Sequence, residues 1–110
     1  MKAFAIATLS NLRFGAEIAE YLRLIDQTLR PFGGAFRVHG APPQVLEGTW
    51  PQSTIVIEFP DMERAQAWYR SPGYQAILPL RTRNAEGNAI LIEGVEDGYR
   101  AADSLAKAAQ

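Results

Sequence analysis

The side chains in this sequence best suited to chemistry on a small molecule are His39, Arg37 and Arg81, together with the aromatic residues Trp68, Tyr69 and Tyr74. His39 is the only histidine and there are no cysteines. A multi-histidine or thiolate metal site is therefore excluded, and the acids form no clustered motif, so no metal is expected. There is no G-x-S-x-G around a serine. The run GGAFRVHG lacks the G-x-G-x-x-G dinucleotide fingerprint and precedes a strand rather than a helix, and no cofactor is expected. General acid–base chemistry remains. An imidazole changes charge near neutrality, so His39 is the candidate catalytic residue, with Glu58 expected to orient it from a neighbouring strand. Arg37 or Arg81 could hold a substrate carboxylate or enolate.

The aromatic candidates fall in AWYRSPGYQAILPLR, residues 67–81. Tyr74, Ile77, Leu78 and Arg81 stand at i, i+3, i+4 and i+7, which places Arg81 on the apolar stripe of a helix. Pro79 counts against that alignment, because an interior proline kinks or ends a helix. If the stripe holds, the Arg81 guanidinium needs an anion. Glu47, Glu58 or Glu93 could supply it internally, or a bound acid could. Trp68, Tyr69 and Tyr74 suit a pocket wall and a core edge equally, and both readings stand.

The elements that must position these residues are legible in the pattern. Lys2–Leu9 alternates and reads as a strand. Phe14, Ile18, Leu22, Ile25 and Leu29 recur at helical spacing until Pro31 and Gly33-Gly34 end the helix. AFRVHG alternates again, and QVLEG is expected to resume that strand. STIVIEF is the clearest strand. Pro60-Asp61 closes it and caps a helix, and Ser71-Pro72 ends that helix and starts another. EGN reads as a turn into the strand AILIEGV. The order strand, helix, strand, strand, helix, strand is the ferredoxin-like α+β arrangement, an antiparallel sheet with helices on one face.

Alternation puts Phe4, Ile6, Phe36, Val38, Ile55, Ile57, Phe59, Ile90 and Ile92 under the helices. The other face then carries Ala3, Ala5, Ala7, Val56 and Leu91 with Arg37, His39, Glu58 and Glu93. Small residues would let a second sheet approach, and the charges could pair across a symmetric contact, so a homodimer through the sheets is expected.

The 110-residue length suits one domain, expected over residues 1–96, with an Ala-rich tail at 97–110. A net charge of −1 provides no basic face for nucleic acid or anionic lipid, so neither is an expected partner. No stretch has the length of a membrane span. The opening MKAFAIATLSNLR reads as a strand rather than a signal peptide, and a cytoplasmic protein is expected.

VIEFPDMERAQAWYRSPGYQAILPLR, with GGAFRVHG and ILIEGV, resembles the family known as domain of unknown function 1330, within the dimeric α+β barrel superfamily. The resemblance covers most of residues 2–96. It implies a ferredoxin-like protomer whose sheet packs on its mate's to form an α+β barrel, and it implies no known activity. The family's aromatic-and-arginine run is matched by Trp68, Tyr69, Tyr74 and Arg81. His39 stands where the family more often has an arginine before a glycine. Superfamily relatives include small monooxygenases, lactone isomerases and cyclases. Two functions follow as expectations: a dimer with a pocket for a small acidic or aromatic molecule and cofactor-independent acid–base chemistry, or a non-catalytic ligand-binding or structural dimer.

Overall fold

Strand β1 (Ala3–Ser10) leads into helix α1 (Ala16–Leu29), whose buried side is Ile18, Tyr21, Ile25 and Leu29. The computed structural model describes residues 1–108. Helix α1 ends in a 3-10 turn over Arg30–Phe32, closed by Gly33 at φ 70, a left-handed conformation that glycine adopts without steric cost. Strands β2 (Ala35–His39) and β3 (Ser53–Phe59) follow, then helices α2 (Met62–Arg70) and α3 (Pro72–Thr82), then β4 (Glu86–Glu93). A second 3-10 turn, Ala101–Asp103, and a short helix α4 (Ser104–Ala108) end the described chain. The tail expected at 97–110 thus lies partly outside the described residues.

The four strands lie in the order β2-β3-β1-β4 and every neighbouring pair is antiparallel. This is the ferredoxin-like sheet, with β1 inserted between the hairpin and the last strand. QVLEG does not resume a strand; residues 40–52 form a loop. The EGN segment, expected as a turn, lies inside β4, where Gly87 pairs with Leu9. No described helix is long and apolar enough to cross a membrane.

Two caps fix the helices. Asp61 accepts a hydrogen bond from the Arg64 backbone N–H (2.8 Å) and starts α2. Ser71 Oγ donates to the Trp68 carbonyl (2.7 Å) and accepts from the Tyr74 N–H (3.2 Å), so one serine ends α2 and begins α3. Pro79 does not break α3. The carbonyl it leaves unpaired is that of Gln75, and both residues are exposed, so water can serve it.

The sheet faces differ from the expected assignment for β1 and β4. Cross-strand pairs group Ala3 with Phe59, Ala5 with Ile57 and Leu91, and Ala7 with Ile55 and Ala89. Ala3, Ile57 and Phe59 are core residues packed with Trp68, Tyr74 and Ile25, so the alanines lie under the helices. Phe4, Ile6 and Ile90 pair with Glu58, Val56 and one another on the open face. The physical reason is volume. The helices bring Trp68, Tyr74 and Tyr21 down onto the middle of the sheet, and only small side chains on β1 leave room for them.

Candidate functional site

Register decides where the single histidine points. Phe36 pairs with Ile57, but Val38 pairs with Val56 and His39 with Ile55, so β2 carries a bulge between Phe36 and Val38. The extra residue reverses the alternation beyond it. Phe36 and His39 therefore share the helix-covered side and stack, ring centroids 4.5 Å apart and 22° between planes. Arg37 stays on the open side, where it and Lys2 pair with Glu58 at 3.4 and 3.5 Å. His39 is thus not oriented by Glu58. Nor do Arg37, His39, Glu58 and Glu93 share one face: Glu93 lies beside Ala3 on the covered side, at the end of β4.

On the covered side a cavity of about 660 Å³ opens between the sheet and helices α1–α3. Its floor includes Ala5, Ala7, Ala89 and Leu91, and its walls include Ile18, Leu22, Trp68 and Tyr74. Its size follows from the alanines, which leave empty the volume that larger residues would fill. His39, Trp68, Tyr69, Tyr74 and Arg81 all line this cavity. Arg37 does not.

The aromatic wall is built from the caps upward. Trp68 and Tyr74 are buried, with ring centroids 4.0 Å apart, and Trp68 also packs on Phe59 at 5.4 Å. The Trp68 indole N–H donates to Thr28 Oγ1 (3.0 Å), so it is already satisfied and only the ring contributes to the wall. Tyr69 stands at the more exposed rim.

One residue absent from the sequence-based candidates completes the site. The Tyr21 hydroxyl hydrogen-bonds that of Tyr74 at 2.8 Å, and both rings are buried. Leu22, which the helical pattern put on the inner stripe, is 39% exposed, while Tyr21 is 8% exposed. The spacing Ile18, Tyr21, Ile25, Leu29 fits a helix face as well as the expected stripe, and that was the available signal. Burial first, and then the Tyr74 hydroxyl, push the Tyr21 phenol well above the ordinary 10.0.

Arg81 lies half-buried beside these two hydroxyls. Burial works against its charge, but the Tyr74 and Tyr21 oxygens outweigh it and raise the guanidinium pKa further. Among the described residues Arg81 pairs with no carboxylate; the ion pairs are Lys2–Glu58, Arg37–Glu58, Arg23–Glu20, Arg64–Asp61 and Arg83–Glu17. None of Glu47, Glu58 and Glu93 serves it.

The end of α3 is tied down just beyond Arg81. Asn84 Nδ2 donates to Glu17 Oε1 (2.9 Å) and to the Leu80 carbonyl (2.8 Å), and the Arg13 backbone N–H donates to the Asn84 carbonyl (2.7 Å). Arg83 pairs with Glu17, and Asn11 Nδ2 donates to Glu86 Oε2 (2.8 Å). These bonds hold the β1–α1 loop against the α3 terminus, so the guanidinium is carried on a braced element.

Comparison with known proteins places this geometry in a fold. The chain is similar to a protein of unknown function from Rhodopseudomonas palustris, at 16% identity over 86% of this chain and 83% of that one, with a TM-score of 0.62. A dimeric ferredoxin-like protein of unknown function from Jannaschia sp. CCS1 matches at 13% identity over 86% of this chain and all of that one, TM-score 0.61. A variant of SnoaB, a cofactor-independent oxygenase from Streptomyces nogalater, matches at 13% identity over 90% and 98% of the two chains, TM-score 0.51. At such identities the likeness is one of fold. No curated protein matches the sequence. A family model does match, over residues 2–95, and the chain belongs to the family described as Domain of unknown function (DUF1330).

Proposed function

We propose that the protein is a homodimer joined through its open sheet faces, and that each protomer binds a small acidic or aromatic molecule in the cavity between helices and sheet. The observation that carries the binding reading is a cavity of about 660 Å³ that meets Arg81, a guanidinium with no carboxylate partner among the described residues. A volume of that order suits a compact ligand, and a mostly apolar wall with a few convergent polar groups is the usual form of such a site. The dimer is supported by Val38, Ile90 and Ile92, which are 40%, 53% and 47% exposed on one face, and by the dimeric Jannaschia neighbour.

In this reading Trp68, Tyr69 and Tyr74 flank the ligand body, Arg81 holds an anionic group, and His39 exchanges a proton with the bound molecule. Such cofactor-independent chemistry has a parallel in the oxygenase neighbour. A second reading, a ligand-binding dimer without catalysis, is favoured by one observation. His39 stacks on Phe36 and makes no side-chain hydrogen bond among the described residues, so none of them holds it as a base.

Native mass spectrometry of the protein purified from its own host tests the proposal. A species at twice the 12.1 kDa protomer mass with a reproducible small-molecule adduct is expected. A monomer at micromolar concentration would remove the dimer. With the adduct identified, His39→Gln separates the two readings: lost turnover with binding retained assigns proton transfer to His39, and unchanged turnover removes it.

A further inference from the structure

The inner corner of the cavity has an unbalanced hydrogen-bond inventory. Tyr21 and Tyr74 bring two O–H donors, and their single mutual bond uses one of them whichever way it runs. The other hydroxyl hydrogen has no acceptor among the described side chains and carbonyls, since the further group that reaches the phenol oxygens, the Arg81 guanidinium, donates to them. Arg81 adds a guanidinium, which donates and cannot accept. Tyr21 cannot relieve the excess by ionising, because burial first, and then the Tyr74 hydroxyl, favour its neutral form. The corner therefore offers donors in surplus and one positive charge, behind a chamber whose other walls are largely alkyl and aromatic.

We propose that the cavity takes a monocarboxylic acid with a compact apolar body, its carboxylate seated on Arg81 and the free hydroxyl of the Tyr21–Tyr74 pair. This rests on the ligand-binding reading above and narrows it. Two carboxylate oxygens supply the acceptors that the corner lacks, and one negative charge neutralises the one guanidinium. A phosphate monoester, carrying nearly two charges at neutral pH, leaves excess charge in an apolar chamber. A neutral aromatic leaves the guanidinium without a counter-charge and the spare hydroxyl without an acceptor. Ala5 and Ala7 beneath the ligand body set how bulky the acid can be.

Calorimetric titration of the full chain with benzoate, phenylacetate and 2-methylbutanoate, each beside its matched amide and with phenyl phosphate and toluene as further probes, tests this. At least one acid is expected to bind about tenfold or more tightly than its amide, and benzoate more tightly than phenyl phosphate. Arg81→Gln should remove the acid preference and leave toluene binding unchanged. Tyr21→Phe should weaken the acid roughly three- to tenfold and the amide less. If amides or toluene bind while no acid is preferred, the carboxylate assignment is overturned and the cavity stands. If the preference survives in Arg81→Gln, the assignment is equally overturned. If no probe binds, the ligand-binding reading falls with it.

Discussion

The two faces of one four-stranded sheet solve opposite packing problems. Under the helices, β1 offers Ala3, Ala5 and Ala7, and the bulk comes from above as Trp68, Tyr74 and Tyr21. On the side facing away from α1–α3 the same strand offers Phe4, Ile6 and Thr8, beside Val56, Ile90 and Ile92. Large-on-small packing leaves a cavity where the helix side chains do not reach the floor. Large side chains without a cover leave apolar surface facing solvent. One face has space to fill and the other has area to bury, and the two proposed properties, ligand binding and dimerisation, divide between them.

The comparison breaks first at Trp68. Trp68→Ala should cost about 3–5 kcal/mol in urea unfolding, because it opens a void beside Phe59 and Tyr74. A loss under about 1 kcal/mol would mean that the covered face is not the core. On the open face Ile90→Asp should raise the dimer dissociation constant at least about a hundredfold in sedimentation equilibrium, while the isolated protomer keeps its fold. An unchanged dimer would show that this face is not the interface.

Ala7→Leu probes the space itself. A leucine that enters an empty chamber should leave stability within about 1 kcal/mol of wild type and reduce toluene binding at least about tenfold. A cost of about 1–3 kcal/mol would instead report overpacking and a floor with no room above it. The smallest effect concerns pH. Side-chain bonds from Arg83 to Glu17 and from Arg37 to Glu58 lower both carboxyl pKa values from the ordinary 4.5. A lowered folded-state value means the stabilisation is full above the unfolded value and is lost as pH falls through the lowered one. The melting temperature of Glu17→Gln should therefore lie below wild type at about pH 7 and converge with it at about pH 3. Both carboxylates are partly solvated, so the difference is slight.

Element order, the Asp61 and Ser71 caps and the inward set Ile55, Ile57 and Phe59 could all be read from the chain, because each depends on neighbours within a few positions. The phase of β1 and β4 could not. Ala3-Ala5-Ala7 and Phe4-Ile6 are both apolar, and alternation says that two faces exist without saying which is covered. The size of the helix residues opposite decides it, and that is a non-local fact. His39 departs from its expected place beside Glu58 for a different reason: nothing in AFRVHG marks the extra residue of a bulge. Arg81 faces the cavity from α3 despite Pro79, whose missing bond falls on the exposed side of the helix. Its neighbour Tyr21 was hidden because Leu22 satisfied the same helical spacing.

The bulge also bears on how such a cavity changes over generations. Strand β2 is at the sheet edge, bonded on one side only, so a change in its length disturbs no second neighbour. Losing Arg37 would leave Phe36 opposite Ile57 and His39 opposite Ile55, and would remove only the ion pair with Glu58. Gaining one residue after Val38 would turn the imidazole outward and put the newcomer over the chamber. The identity of the polar group at this end is thus open to exchange by single-codon insertion or deletion, while three strands and the braced arginine inherit their places unchanged.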